Sequence, residues 1–398
     1  MKIKCDFSPN KSIFSLGINI AVGSRNENDF PNGISHFLEH YIFRKSKRFS
    51  GKEIAKKFES FGALVNAFTA KDQTSFYLTA QTENFTQVAQ LLFEIICTPD
   101  FLPEEVQKEK LIIAEEINSY LDDNEEIIFE IAATTLYGQN NLCTPITGTI
   151  ESIEQINSEL LEKFHSLHYQ TENMIIASSG GISEEMLLKV FDNNSSKTNL
   201  KHLTNFKNLD IKNINYSRNI VKGQSTQGHI LYFKVIKNES EDQRYALAIL
   251  NLILGDGISS RLYQSVREEF GISYNIYSSI NRYTDLTEIS VYASFDENKL
   301  SEIEEEIDKQ VNLIAQNSIT QKEFSTAKSI LKTFLLIDDE SSSSRISTLG
   351  REMILGEEHK TTHQLIEEIE GITLETIKKV ASKTLSASNF SKTIILPE

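Results

Sequence analysis

The 398-residue sequence predicts an α+β protein made of two similar halves, and three observations carry that prediction. The chain is longer than one ordinary hydrophobic core can organise, so at least two domains are expected. Runs with strand-like alternation, some paired as hairpins, are interspersed with amphipathic helical runs. The order of these signals then recurs on either side of a polar stretch near the middle of the chain.

From the start, Ile13–Val22 alternates as a half-buried strand does. This run is also apolar enough to resemble a weak secretory core, but its shortness and alternation favour the strand. Gly23 to Gly33, rich in Gly, Asn, Asp and Pro, reads as a turn region leading into a helix around His36. A second helix over Gly51–Phe61 stops at Gly62. Ala63–Thr69 and Thr74–Thr82 alternate as a hairpin around Lys71 and Asp72. Helical periodicity follows at Thr86–Cys97 and at Pro103–Leu121, where the fixed φ of proline suits a first helical turn.

The stretch from Asp192 to about Ser217, rich in Asn, Ser and Lys, is the linker. Domains are therefore expected at 1–200 and 218–398, joined by 201–217. Phe61-Gly62 and Phe270-Gly271 each end a charged helix and open a hairpin. Glu104-Glu105-Val106 answers to Lys322-Glu323-Phe324 before a long helix in each half. The copies differ where chemistry is concerned, because Phe334 falls where the first half has Glu116. One half is expected to be catalytic and the other accessory.

Composition narrows the function. The net charge of −16 argues against nucleic acid, which needs basic patches, and favours a basic partner or substrate if the acid lines a cavity. No apolar run approaches the roughly 20 residues that span a bilayer. The three cysteines, Cys5, Cys97 and Cys143, are odd in number and widely spaced. That pattern fits a reducing, cytoplasmic setting without a disulfide framework.

The chemistry concentrates in His36-Phe37-Leu38-Glu39-His40. On a helix, positions i, i+3 and i+4 share a face, so both imidazoles and the Glu39 carboxylate point one way while Phe37 and Leu38 turn to packing. This is the inverse of the His-Glu-x-x-His zinc signature. Catalytic zinc usually keeps three protein ligands and an open position, so a third ligand is needed. In Pro103–Leu121, Glu109 and Glu116 fall at the border of the apolar face, whereas Glu115 lies on the solvated side. A carboxylate pressed against a core calls for a cation or donors, so both invite a role at the metal; charges reaching out to water are the other reading.

With Glu109 and Glu116 seven apart after that pentapeptide, the sequence resembles the inverted-motif zinc peptidases of the pitrilysin and mitochondrial processing peptidase family. Gly33-Ile34-Ser35, Phe61-Gly62-Ala63, Asn66-Ala67-Phe68-Thr69, Gly148-Thr149, His168-Tyr169 and Asn173-Met174 add to the likeness. So does the turn from Leu254 to Tyr263 in the second half. The resemblance implies two α+β halves, each a mostly antiparallel sheet with helices packed on it, facing each other as a clamshell. It implies one zinc ion per chain held by His36, His40 and Glu116, with Glu39 as general base and Glu109 supporting the site. A peptide substrate would add as a strand beside Asn66 and Phe68, and Arg267 and Tyr274 of the second half would bind it. The implied activity is that of a zinc endopeptidase, with a non-catalytic or partner-dependent subunit as the alternative. The length matches the branch that works as a homodimer or as a heterodimer with a related chain. Tyr41 and Arg44 depart from the family pattern and are expected to bear on the substrate channel.

Overall fold

The computed structural model describes residues 1–138, 140–191, 214, 216–237 and 241–398. Each half contributes one five-stranded mixed sheet. The first comprises β1 (Lys2–Phe7), β2 (Ile13–Ile20), β3 (Leu64–Thr69), β4 (Thr74–Gln81) and β5 (Met174–Gly180), in the order β1-β5-β2-β4-β3. Only the β1–β5 pairing is parallel. The second comprises β6 (Arg218–Gly223), β7 (Gly228–Lys237), β8 (Ile276–Arg282), β9 (Leu286–Phe295) and β10 (Ser391–Pro397), in the order β6-β10-β7-β9-β8. There the parallel pair is β6–β10. Strand for strand the two sheets have the same order and the same single parallel pairing, which is the duplication expected from the sequence.

The duplication reaches the turns. Gly62 and Gly271 both follow a helical segment and both take left-handed backbone, with φ of 62° and 59°. Glycine adopts that conformation without the Cβ penalty, and a hairpin follows in each half.

The helices of the first half lie close to their predicted bounds, at Ile34–Ile42, Gly51–Ser60, Phe85–Cys97 and Pro103–Leu121. They bury their apolar faces with one face of the sheet, where Phe14, Leu16 and Ile18 of β2 meet Phe76 and Leu78 of β4. The other face is small and polar. There Ser15 and Thr79 hydroxyls pair at 2.7 Å, and Ser75 donates to the Asn19 side chain at 2.8 Å. That face is covered by the helix Ser342–Leu355, whose Ile346 and Leu349 pack on Ala177 of β5. The approach is close: a Cβ on Gly350 would lie 2.6 Å from the Asn19 amide nitrogen. In the second sheet, the helix Asn124–Tyr137 packs on β7 and β10, with the Tyr137 ring edge-on to Phe233.

The chain accordingly forms two compact units that interleave along the sequence. One comprises Met1–Ser119, Asn140–Lys207 and Asp338–His359; the other comprises Tyr120–Gln139, Asn208–Ile337 and Lys360–Glu398. Of the linker expected at 201–217, only 214, 216 and 217 lie within the described residues. The three cysteines are unbonded. Among the described residues no helix is long and apolar enough to cross a membrane.

Candidate metal centre

The helix Ile34–Ile42 presents the histidines, and its amino terminus is anchored from two sides. Gly33 takes left-handed backbone at φ 88°, and a Cβ there would lie 2.5 Å from the Thr147 carbonyl oxygen. The Glu27 carboxylate accepts from the Gly33 and Ser35 amides at 2.9 and 3.0 Å. It thereby satisfies donors that the first helical turn leaves free. Burial pushes the Glu27 carboxyl up to about 7, against the pull of the Ser35 and Gly33 donors. Nothing in the sequence pattern singled out Glu27, since its use depends on a turn that brings it back to a helix beginning seven residues later.

Phe37, Leu38 and Tyr41 are fully buried, while His36 and His40 meet Glu116 of the helix Pro103–Leu121 and Glu39 meets Thr69 of β3. Glu116 comes within 3.5 Å of His36 Nε2 through one carboxylate oxygen and within 3.4 Å of His40 Nε2 through the other. Ligand atoms from His36, His40 and Glu116 all lie within 4.8 Å of one another. A tetrahedral zinc with bonds of roughly 2.1 Å separates its ligands by about 3.4 Å, so the donor set fits zinc in type and spacing. No other group of three such residues meets this test among the described residues.

The electrostatics distinguish the two imidazoles. Burial, with His40 adding to it, drives His36 down to about 3, so it stands neutral with a lone pair to offer. Burial would lower His40 too, but the hydrogen bond to Glu109 and the charges of Glu39, Glu116 and Glu109 together hold it above the ordinary value. Glu109, 4% exposed, sits 3.1 Å from His40 Nδ1 through Oε1. Glu39 is raised by burial, against the pull of His40 and of the Thr69 hydroxyl, which donates to its Oε2 at 3.0 Å.

The expected substrate residues lie elsewhere. Asn66 and Phe68 are on β3, the last strand of its sheet, which among the described residues pairs only with β4. Asn66 is exposed and its side-chain oxygen accepts from the Ala67 amide; the Phe68 ring lies 6.2 Å from that of Tyr77. In the second unit, Arg267 lies on the wide helical segment Tyr263–Glu269. Its guanidinium is held between the rings of Tyr263 and Tyr274 at 4.7 and 4.5 Å, and Tyr274 is 78% exposed. The expectation for Tyr41 is corrected. It is fully buried, and its hydroxyl donates to the Asp100 carbonyl while accepting from the Leu102 amide, so it braces a turn and does not line a channel.

Comparison with known proteins gives a consistent picture. The family model for insulinase, peptidase family M16, matches residues 4–150, and that for the peptidase M16 inactive domain matches 155–331. An uncharacterized zinc protease of Bacillus subtilis is 30% identical over 398 residues, spanning 100% of this chain and 96% of that one. One from Rickettsia bellii is 28% identical over 382 residues, spanning 96% and 92%. Among solved structures, a peptidase M16 inactive domain from Pseudomonas fluorescens superposes with a TM-score of 0.91 at 19% identity, covering 100% and 96% of the two chains. A protease from Helicobacter pylori does so with a TM-score of 0.87 at 20% identity, covering 99% and 97%. At such identities the structural likeness speaks for the fold.

Proposed function

The chain belongs to the M16 peptidases, the insulinase family, in its short two-domain branch, and from that membership we propose that it is a zinc-dependent endopeptidase. The observation that carries the proposal is the convergence of His36, His40 and Glu116 on one point. These three side chains would hold one zinc ion per chain. A zinc ion there supplies Lewis acidity, which polarises a peptide carbonyl and makes water acidic enough to lose a proton near neutral pH.

Glu39 is the base. Thr69 occupies its Oε2, leaving Oε1 to take a proton from the attacking water and pass it to the departing amine. The peptide lies beside β3, where the outer backbone groups of residues 66–69 pair with an extended chain without demanding a sequence. Asn66 and Phe68 then border it, and Arg267 and Tyr274 bind the substrate from the accessory unit. The net charge of −16 favours basic peptides. The working form is a homodimer or a heterodimer with a related chain, and three unbonded cysteines support a cytoplasmic setting.

The test is a comparison of the parent with Glu39→Gln, by metal analysis and by hydrolysis of a quenched fluorescent peptide library. Both proteins should carry about one zinc per chain, with hydrolysis reduced by about 10²–10⁴-fold in the variant. Equal hydrolysis by the two would dismiss Glu39 as the base. Size-exclusion chromatography of the active species reads the oligomeric state.

A further inference from the structure

Arg44 lies just beyond the motif helix and connects two acidic residues of the helix Pro103–Leu121. Its Nε donates to Glu105 Oε2 at 3.0 Å, and a terminal nitrogen lies 3.3 Å from Glu109 Oε2. The other Glu109 oxygen is the one that meets His40 Nδ1. An unbroken path thus runs from Glu105 through Arg44 and Glu109 to an imidazole whose Nε2 faces Glu116. His36 has no such support: its Nδ1 is buried without a hydrogen-bond partner.

The second half repeats part of this arrangement and omits the rest. Glu323 is the third residue of the helix Gln321–Glu340, as Glu105 is of Pro103–Leu121. Arg261 grips it at 2.6 Å through Nε and at 3.1 Å through a terminal nitrogen. Four residues further on, where Glu109 stands in the first half, is Ala327. The remaining Arg261 donors turn to Ser318, its hydroxyl at 2.8 Å and its carbonyl at 3.0 Å. The arginine–glutamate clamp therefore belongs to the scaffold of both halves, and the extension to a second glutamate occurs only beside the histidines.

Building on the zinc site proposed above, we propose that Arg44 is a positioning residue for that site. It supplies the counter-charge to a carboxylate that is otherwise sealed against the core, and it fixes the direction of the Glu109 oxygens. A buried carboxylate without such a partner is costly and turns away. Held in place, Glu109 accepts the Nδ1 proton of His40, which sets the tautomer and leaves the Nε2 lone pair for the metal. Groups that orient a histidine ligand in this way influence metal affinity although they never touch the ion.

The experiment compares the full-length parent with Arg44→Met, Arg44→Lys and Arg261→Met. Zinc affinity is read by competition with a chromogenic chelator, and ligand geometry by the visible spectrum of the cobalt-substituted protein. Arg44→Met should weaken zinc by about 10–100-fold and alter the cobalt spectrum. Arg44→Lys should recover part of the loss, because an ammonium restores the charge but not the two-pronged grip. Arg261→Met removes the matching clamp from the accessory half and should leave both readings as in the parent. Should Arg44→Met fail to fold, Arg44→Gln, which keeps a donor without the charge, takes its place with the same expectation. The inference is overturned by parent-like zinc affinity and spectrum in the neutral variant, by a lysine variant no better than the neutral one, or by an equal loss in Arg261→Met. A folded parent that takes up no zinc overturns the site proposal and this inference together, which separates the two failures.

Discussion

Replacing Gly33 by alanine should dislodge the motif helix, and a second glycine provides the measure. Gly33 and Gly62 both occupy left-handed backbone, at φ 88° and 62°. For an alanine that conformation costs roughly 1–2 kcal/mol, partly offset by about 0.4–1 kcal/mol from the stiffer unfolded chain. At Gly62 nothing lies within 4 Å of the added Cβ, so the net loss should be about 1 kcal/mol or less. At Gly33 the Cβ would fall 2.5 Å from the Thr147 carbonyl oxygen and 2.8 Å from Gly148 Cα, both backbone atoms that cannot swing aside. Overpacking of this kind adds about 1–3 kcal/mol, bringing Gly33→Ala to roughly 1–4 kcal/mol. Urea unfolding of the parent and both variants measures the difference. The displaced helix carries His36, so zinc content and hydrolysis should also fall in Gly33→Ala and hold in Gly62→Ala. If the two variants lose the same stability, the close approach to Thr147 contributes nothing and the reasoning fails.

Glu116→Ala removes one of the three proposed ligands and should leave the protein folded but without stoichiometric zinc; full zinc retention by metal analysis would reject Glu116 as a ligand. Glu27→Gln should change how stability depends on pH. Burial raises this carboxyl from 4.5 to about 7, so the native state keeps a proton that the unfolded chain releases, and stability falls as pH rises through that interval. The shift corresponds to about 3 kcal/mol, and the difference in unfolding free energy between parent and Glu27→Gln, measured at pH 4.5 and pH 8, should change by about that amount. A difference that does not vary with pH would show that folding leaves the Glu27 carboxyl unshifted.

Local periodicity made much of the first half readable. His36, Glu39 and His40 share a face because a helix turns about 100° per residue, and the same count placed Glu109 and Glu116 beside the apolar stripe of Pro103–Leu121. The structure puts Glu116 next to both imidazoles and Glu109 behind His40. Partners supplied by distant chain were not readable in this way. Thr69 reaches Glu39, and Arg44 reaches Glu105 and Glu109, across sequence gaps that carry no periodic signal. The small and polar residues of β2, Ser15, Gly17 and Asn19, alternate with its apolar ones and carry no local signal of what lies against them. They are covered by Ser342–Leu355, because small side chains let a helix approach as closely as Gly350 does to Asn19. β1 carries no such signal because its pairing is with β5, which enters the sheet only after seven intervening α-helices.

The covering of β2, β4 and β5 has a consequence for biosynthesis. A ribosome releases the amino-terminal strands early, yet the helix that seals their second face is among the last segments to emerge. Until then the nascent chain carries an unfinished sheet, and a chaperone or an early collapse must tolerate it. A stop codon placed after residue 200 would not yield a free-standing first unit, because translation would end before the helix that covers its sheet had been made.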